Sequence, residues 1–136
     1  MVTDDRYTFA LEIDVRDYEL DSEGIVNNAN YLHYMEHTRH QFLLTEGVSF
    51  IDLHHRGIDC VVARITVNYK TPLRSDDQFL SCLNIKKEGV KYVFLQDIYR
   101  MPDRQLCMKA TVETVCIVNG RLKDCEELNN TFGKYF

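Results

Sequence analysis

The chain has 136 residues, of which 45% are hydrophobic and 27% are charged, and its formal net charge is -5. This length suits one domain with one core, so we expect a single domain over 1–136. The acidic balance argues against a nucleic-acid surface, which needs clustered Lys and Arg, although it leaves room for a small basic patch that meets a phosphorylated ligand.

The first half of the chain changes from a strand pattern to a helix pattern. Apolar residues alternate with polar ones over residues 7–16, which predicts a half-buried strand. From Asn28 the apolar residues recur at helical spacing, and Asn27 or Asn28 is a suitable N-cap. Gly47 is a suitable stop for this helix, which therefore has nearly five turns. A short second helix is predicted over "FIDLHHR", residues 50–56.

The second half reads as consecutive strands joined by hairpin-like turns. The strand patterns are "CVVARITVNYKTP", "DQFLSCLNIKKEG", "KYVFLQDIYRMPD" and "RQLCMKATVETVCIVNGRL". Asn119-Gly120 adds a turn signal near the end of the last pattern, and the tail "NNTFGKYF" is expected to be loose or a short edge piece. The order predicts an α+β fold in which one curved antiparallel sheet wraps around one long helix, with exposed edges that favour pairing in a dimer.

Two further features bear on the compartment. The sequence has no run of about 18 apolar residues, and its first residues carry early acids instead of an apolar secretory segment. The five cysteines are widely spaced and form no C-x-x-C pair, which makes a disulfide framework or a zinc ribbon a weak interpretation. We therefore expect reduced thiols in a cytoplasmic protein.

The segment Asp21-Ser22-Glu23-Gly24-Ile25-Val26-Asn27-Asn28-Ala29-Asn30-Tyr31 has the pattern D-x-x-G-x-V-x-N-A-x-Y before a long helix. This pattern resembles the hotdog-fold thioesterases of the 4-hydroxybenzoyl-CoA thioesterase type. The resemblance continues through "YLHYMEHTRHQFL" and returns in "VVARITVNYKTPLRSDDQF". The wording "VRDYELDSEGIVNNA" is similar to the acyl-acyl-carrier-protein thioesterases of plant plastids.

The resemblance implies an acyl thioesterase that releases a carboxylic acid and a thiol from acyl-CoA or acyl-carrier-protein thioesters. By family position, Asp21 is the catalytic carboxylate, as nucleophile or general base, and the N–H of Asn28 polarises the thioester carbonyl. Gly24, Val26, Asn27, Tyr31 and Tyr69 are the expected substrate-binding residues. The resemblance implies no metal or organic cofactor. It implies a homodimer, or a tetramer built from dimers, with the site between subunits.

The chemistry agrees with these roles. A helix N-terminus offers free N–H groups and a positive dipole end to a carbonyl oxygen, and glycine lets the preceding loop turn back toward it. The sequence differs from many members by lacking a histidine near Gly24 and the helix start. That difference bears on substrate and rate more than on the class of reaction.

Each singled-out feature also has a plainer interpretation. Asp21 is of a type that shapes turns before helices, and Asp17, Glu19 and Glu23 suit a solvated acidic loop. The tyrosines at 31 and 34, with Met35 and Phe42, suit a core, although Tyr31 and Tyr34 are also of a type that lines an acyl pocket. The basic candidates for carrier phosphates also suit solvated strand positions; they are Arg64, Arg74, Lys86, Lys87 and Lys91.

"HYMEH", residues 33–37, has the H-x-x-E-H spacing of inverted zinc metallopeptidases. Catalytic zinc needs a third protein ligand, and the plainer interpretation is a polar stripe in which Glu36 pairs with His40 or Arg39. Glu36 also matches a helix carboxylate used by another hotdog branch, but the glycine-rich motif of that branch is absent. The alternatives to a thioesterase are thus a non-catalytic acyl-CoA-binding hotdog module and, less favoured, a zinc hydrolase.

Overall fold

The computed structural model describes residues 5–136. In that range the alternating segments form six strands and the helical segments form three α-helices. The strands are β1 (Phe9–Asp14), β2 (Ile58–Tyr69), β3 (Gln78–Glu88), β4 (Lys91–Met101), β5 (Gln105–Val118) and β6 (Arg121–Leu122). The helices are α1 (Asn28–Thr45), α2 (Phe50–His55) and α3 (Glu126–Phe132), with 3-10 turns at Asp17–Glu19 and Gly133–Tyr135.

The strands form one antiparallel sheet in the order β1-β3-β4-β5-β2, and β6 pairs with the end of β5. The two edges differ in length, because β1 has 6 residues and β2 has 12. The expected α+β architecture, a curved antiparallel sheet around one long helix, is confirmed.

Helix α1 packs on the inner face of the sheet through apolar and polar contacts. Met35 is fully buried, and the Phe42 ring contacts the Phe94 ring with centroids 6.5 Å apart. The hydroxyls of Thr38 and Ser81 lie 2.7 Å apart, which ties the middle of α1 to β3. The helix begins after the Asn27 cap and is followed by Gly47 at φ +75, as the sequence predicted.

A β-bulge keeps the apolar side of edge strand β2 facing inward. The register with β5 shifts between Val62 and Arg64, so that Ala63 is the extra residue. The side chains on both sides of the bulge therefore face α1, opposite the buried row of β5. This inward row consists of Ile58, Cys60, Val62, Ile65, Val67 and Tyr69.

The expectation of a loose tail was wrong. Residues 126–132 form helix α3, in which Leu128 and Phe132 are each only 2% exposed. The Phe132 ring stacks on Phe42 of α1 with centroids 5.8 Å apart. Leu128 and Phe132 lie four positions apart and therefore on one face of the helix, which packs against the core although the segment is polar overall. The last strand pattern is also divided, since Asn119-Gly120 turns the chain from β5 into β6.

Among residues 5–136, none of the helices has both the length and the apolarity needed to cross a bilayer.

Candidate active site

The loop between β1 and α1 folds back on itself around Asp21. Asp21 N–H donates to Ile25 O at 2.8 Å, and Gly24 N–H donates to Asp21 O at 3.1 Å. Gly24 has φ +78, a left-handed conformation in which a side chain would be strained. Asp21 Oδ1 accepts hydrogen bonds from Glu23 N–H at 2.9 Å and Ile25 N–H at 3.3 Å. The turn-forming role that the sequence allowed for Asp21 is therefore present, and it uses the Oδ1 oxygen.

Glu19 joins this loop to the first turns of α1. Its carbonyl oxygen accepts from Asn27 N–H at 2.9 Å and from Asn30 Nδ2 at 2.8 Å. Its carboxylate accepts from Tyr34 Oη at 2.8 Å and from Arg16 N–H at 2.7 Å. Asn27, Asn30 and Tyr34 follow helical spacing, so they face Glu19 from one side of the helix. Glu19 thus fixes the position of the loop along the start of α1.

Glu19 is only 7% exposed, so its assignment to a solvated acidic loop was wrong, whereas Asp17 and Glu23 are exposed as expected. Burial and the hydrogen bond to Glu19 raise the pKa of Tyr34 well above its ordinary value, which keeps the phenol protonated as a donor. The sequence signal that would have found this pair is weak. Tyr34 lies on the buried stripe of α1 and carries a hydroxyl that needs a partner.

The cap of α1 leaves the N–H group of Asn28 open. Asn27 Oδ1 accepts from Ala29 N–H at 2.9 Å, and Asn27 O accepts from Asn30 N–H at 2.9 Å. Among the described residues, the N–H of Asn28 has no acceptor, as expected for the first residue of a helix. It is therefore available to an oxygen atom of a ligand at the positive end of the helix dipole.

The structure brings Tyr69 and Tyr31 to this helix start. Tyr69 Oη donates to Asn28 O at 3.2 Å, and its ring meets the Tyr31 ring with centroids 5.3 Å apart. Tyr69 is 45% exposed, whereas Tyr31 and Val26 are buried at 3% and 2% exposure. Of these three predicted substrate-binding residues, only Tyr69 thus presents a large side-chain surface.

Buried contacts hold the far side of the loop. Tyr31 Oη accepts from Leu73 N–H at 3.2 Å, and Val26 N–H donates to Leu73 O at 2.8 Å. Burial raises the pKa of the Tyr31 phenol, so this hydroxyl also stays protonated. The Val26 and Tyr31 side chains thus support the loop from the core.

The two histidines of "HYMEH" lie on one side of α1, and its glutamate lies on another. His33 and His37 line an open groove beside β1, whereas Glu36 and His40 face the side of β2. His40 Nε2 lies 3.7 Å from Glu36 Oε1, which is the helical pairing expected from the sequence. Over residues 5–136, no three His, Cys, Asp or Glu side chains gather in a way that could hold a metal ion. This arrangement gives the zinc alternative no support.

A cavity of about 230 Å³ lies between the C-terminal half of α1 and the inner face of the sheet. Helices α2 and α3 close its other sides. Its apolar lining comprises Leu43, Val48, Phe50, Leu53, Cys60, Val62, Tyr92, Phe94, Leu128 and Phe132. Its polar lining comprises Glu36, Arg39, His40 and Thr114.

The cavity and the start of α1 share one wall, the inward row of β2. Cys60 and Val62 of that row line the cavity, and Tyr69 at its other end bonds to Asn28. The inward row of β2 therefore runs beside α1 from the open N–H of Asn28 to the cavity. Val62 and Ile65 in this row are 45% and 37% exposed.

Of the five basic candidates for phosphate binding, four have acidic partners. Lys86 pairs with Glu88, Lys87 with Asp124, and both Arg64 and Lys91 with Glu113. Arg74 instead forms a β-bridge with Ile25 of the Asp21 loop, and its side chain has no ion pair within the described part of the chain.

Known proteins that are similar to this chain include thioesterases. Residues 15–127 match the profile of the thioesterase-like superfamily. The chain is 33% identical over 101 residues to the chloroplastic acyl-acyl carrier protein thioesterase ATL3 of Arabidopsis thaliana, a match that covers 74% of this chain and 53% of that protein. It is 32% identical over 107 residues to the long-chain acyl-CoA thioesterase FadM of Escherichia coli, covering 78% of this chain and 80% of that one.

The chain thus spans about half the length of the plant relative, and 58% of a second Arabidopsis thaliana thioesterase, ATL2. Among solved structures, a 1,4-dihydroxy-2-naphthoyl-CoA thioesterase from Synechocystis superposes with a TM-score of 0.85 at 19% identity. That match covers 90% of this chain and 93% of the other. At this identity the likeness supports the hotdog fold alone.

The buried Tyr34–Glu19 hydrogen bond is expected to stabilise the loop against α1. Tyr34→Phe removes only the hydroxyl, so we expect the free energy of unfolding to fall by about 1.5–3 kcal/mol, the range for a hydrogen bond to a charged group. Denaturant unfolding measures this loss. Tyr18→Phe is the matched control, since Tyr18 is 76% exposed in the same segment. Equal stability of the two variants would contradict the role given to Glu19.

Proposed function

The chain belongs to the thioesterase-like superfamily, and we propose that it hydrolyses acyl thioesters of coenzyme A or of acyl carrier protein to a carboxylic acid and a thiol. The observation that supports this most strongly is that the loop carrying the Asp21 carboxylate leads directly into the start of α1, where the N–H of Asn28 is open. The relatives named as acyl-carrier-protein and acyl-CoA thioesterases support the same class of reaction.

In the proposed mechanism the thioester carbonyl oxygen binds to the N–H of Asn28. The positive end of the α1 dipole stabilises the negative charge that develops on this oxygen. In one route the Asp21 carboxylate takes a proton from a water molecule that attacks the carbonyl carbon, the C–S bond breaks, and the proton passes to the departing thiolate. In the other route the carboxylate attacks the carbon itself and expels the thiolate, and water then hydrolyses the resulting anhydride, which releases the acid, restores Asp21 and supplies the proton for the thiol. The Asn27 cap contributes by occupying the N–H groups of Ala29 and Asn30, while it leaves the N–H of Asn28 available to the substrate.

The acyl chain is proposed to follow a groove between α1 and the inward row of β2 into the cavity. Tyr69 lies at the start of this route and Val62 at its end, which places an apolar wall along the whole path. A mostly apolar cavity suits an aliphatic or aromatic acyl group.

The active unit is proposed to be a homodimer that pairs along β2. This edge strand has 12 residues with unpaired backbone groups on its outer edge and carries exposed Val61, Val62 and Ile65. Pairing of two such edges is self-complementary and buries this apolar surface. Because Tyr69 of the same strand reaches the start of α1, the partner subunit would lie next to the active site and close the groove.

The phosphates of the carrier are proposed to bind Arg74, the basic candidate beside the Asp21 loop.

The cytoplasm remains the proposed compartment. The five free cysteines, of which four are buried, support this proposal.

The Asx turn at Asp21 supports one alternative, a module that binds acyl-CoA without hydrolysing it and uses this residue only to shape the loop. The substitution Asp21→Asn separates the two functions. Asparagine keeps the Oδ1 acceptor for Glu23 N–H and Ile25 N–H, so the turn is preserved, but it is neither a nucleophile nor a general base.

We expect Asp21→Asn to lower the hydrolysis rate by about a hundredfold or more, because removal of a general base or nucleophile removes this much catalysis. The test measures thiol release from a panel of acyl-CoA and acyl-carrier-protein thioesters for the unmodified protein and for Asp21→Asn. The melting temperatures of the two proteins should be equal, which shows that the variant is folded. Similar rates for the two forms would refute the mechanism. Binding of thioesters without release by the unmodified protein would favour the non-catalytic module.

For the dimer we expect Ile65→Lys to shift the protein toward monomers and to lower thiol release. The introduced charge is solvated in a monomer but is buried without a partner when two β2 edges meet. Sedimentation velocity gives the mass. Val90→Lys is the matched control, because Val90 is 39% exposed, close to the 37% of Ile65, but lies at the β3–β4 turn. An Ile65→Lys protein that sediments like the control would exclude this interface.

A further inference from the structure

Arg39 is a buried cation in the wall of a mostly apolar cavity. It is 8% exposed and lines the cavity from α1. Its Nη1 donates to Gln96 Oε1 at 2.9 Å, and Gln96 Nε2 donates in turn to Met35 O at 3.2 Å. Gln96 is fully buried in β4, so the guanidinium is held in place by a neutral amide.

No carboxylate neutralises this guanidinium at ion-pair distance among residues 5–136. Glu36, one turn earlier on α1, has a side chain that is 56% exposed and lies 3.7 Å from His40. A guanidinium has five N–H donors, and Gln96 accepts from one of them. Arg39 therefore has donor capacity left on the side of the cavity.

The other polar groups of the cavity do not use this capacity. Thr114 Oγ1 donates to Tyr92 O at 2.9 Å. Burial lowers the pKa of His40, which favours its neutral form. The polar surface of the cavity is thus concentrated on α1 around Arg39, opposite the apolar wall formed by the sheet, α2 and α3.

Arg39 lies far from the reacting carbonyl. It follows Asn28 by eleven positions on α1, which is about 16 Å along the helix axis. A group at this distance does not take part in the chemical step. It can only recognise the part of an acyl group that extends away from the thioester.

We propose that Arg39 donates a hydrogen bond to an oxygen atom near the distal end of the bound acyl group, so that the protein selects acyl chains carrying a distal hydroxyl or carboxylate. This inference rests on the proposed acyl route, and it names the class of substrate. Arg39 is in this account a specificity-determining residue. A plain alkyl end would leave the guanidinium without an acceptor, and an oxygenated end without Arg39 would be buried without a donor.

The test measures binding without turnover, by calorimetry with S-alkyl-CoA thioethers, which are not hydrolysed. Three thioethers of equal chain length end in a methyl, a hydroxyl or a carboxyl group. We expect the unmodified protein to bind an oxygenated thioether about tenfold more tightly than the methyl one, which is the effect of one good hydrogen bond. Arg39→Met should reverse this preference, and the hydroxyl and carboxyl arms show which oxygen function is preferred.

Two further variants separate recognition from anchoring. Gln96→Met removes the anchor of Arg39 but keeps the guanidinium, and should retain the preference for oxygen. Arg39→Lys keeps a cationic donor and should retain part of the preference for oxygen. This variant replaces Arg39→Met in the test if Arg39→Met does not fold.

Equal affinity of the three thioethers for the unmodified protein would overturn the proposal. So would an equal loss for all three in Arg39→Met, which indicates a structural role. Either result leaves the Asp21 mechanism intact, because that mechanism is tested by thiol release.

Discussion

The position of the loop that carries Asp21 depends on Glu19. The carbonyl and the carboxylate of this buried residue accept hydrogen bonds from Asn27, which caps α1, and from Asn30 and Tyr34 in the first two turns of the helix. Without them, the turn that carries Asp21 would be connected to the helix start only through the backbone and the contacts of Val26. In the proposed mechanism Asp21 and Asn28 act on one thioester group, which requires fixed relative positions. Glu19 supplies this fixation through its carbonyl and its carboxylate, at the cost of burying a carboxylate.

Helix α1 serves two purposes that are separated along its length. Its N-terminus offers a hydrogen-bond donor, and its C-terminal half forms the wall of a cavity that holds Arg39. Strand β2 runs beside both, which explains why an edge strand keeps an apolar inward row even where that row is exposed. The bulge at Ala63 preserves this row where a regular strand would turn half of it outward. In the proposed dimer the same strand is both the interface and the wall of the substrate groove.

Local patterns were sufficient for much of the fold. Alternation identified the strands, and Asn27 and Gly47 identified the ends of α1, because these signals arise from the backbone needs of the element itself. Helix α3 was missed because its burial depends on Phe132 meeting Phe42, which is 90 positions away in the chain. The resemblance, and not the periodicity, singled out Asp21 and Asn28 as catalytic.

Buried polar residues were the main failure of local reasoning. Glu19 and Arg39 occur among polar neighbours and have the composition of solvated positions, yet both are less than a tenth exposed. Their partners, Tyr34 and Gln96, are respectively 15 and 57 positions away. Only the three-dimensional structure brings such pairs together, and the cavity beside Arg39 is formed by α1, α2, α3 and three strands at once.

A crystal structure of the Asp21→Asn protein with a bound acyl-CoA thioester would show where the substrate lies, since this variant is expected to hold it uncleaved. The thioester carbonyl oxygen is expected within about 3 Å of the Asn28 nitrogen, the distance of a hydrogen bond. The carbonyl carbon should lie beside residue 21, and the acyl chain should extend along β2 toward Arg39. A carbonyl oxygen placed away from the start of α1, for example beside Glu36, would contradict the account.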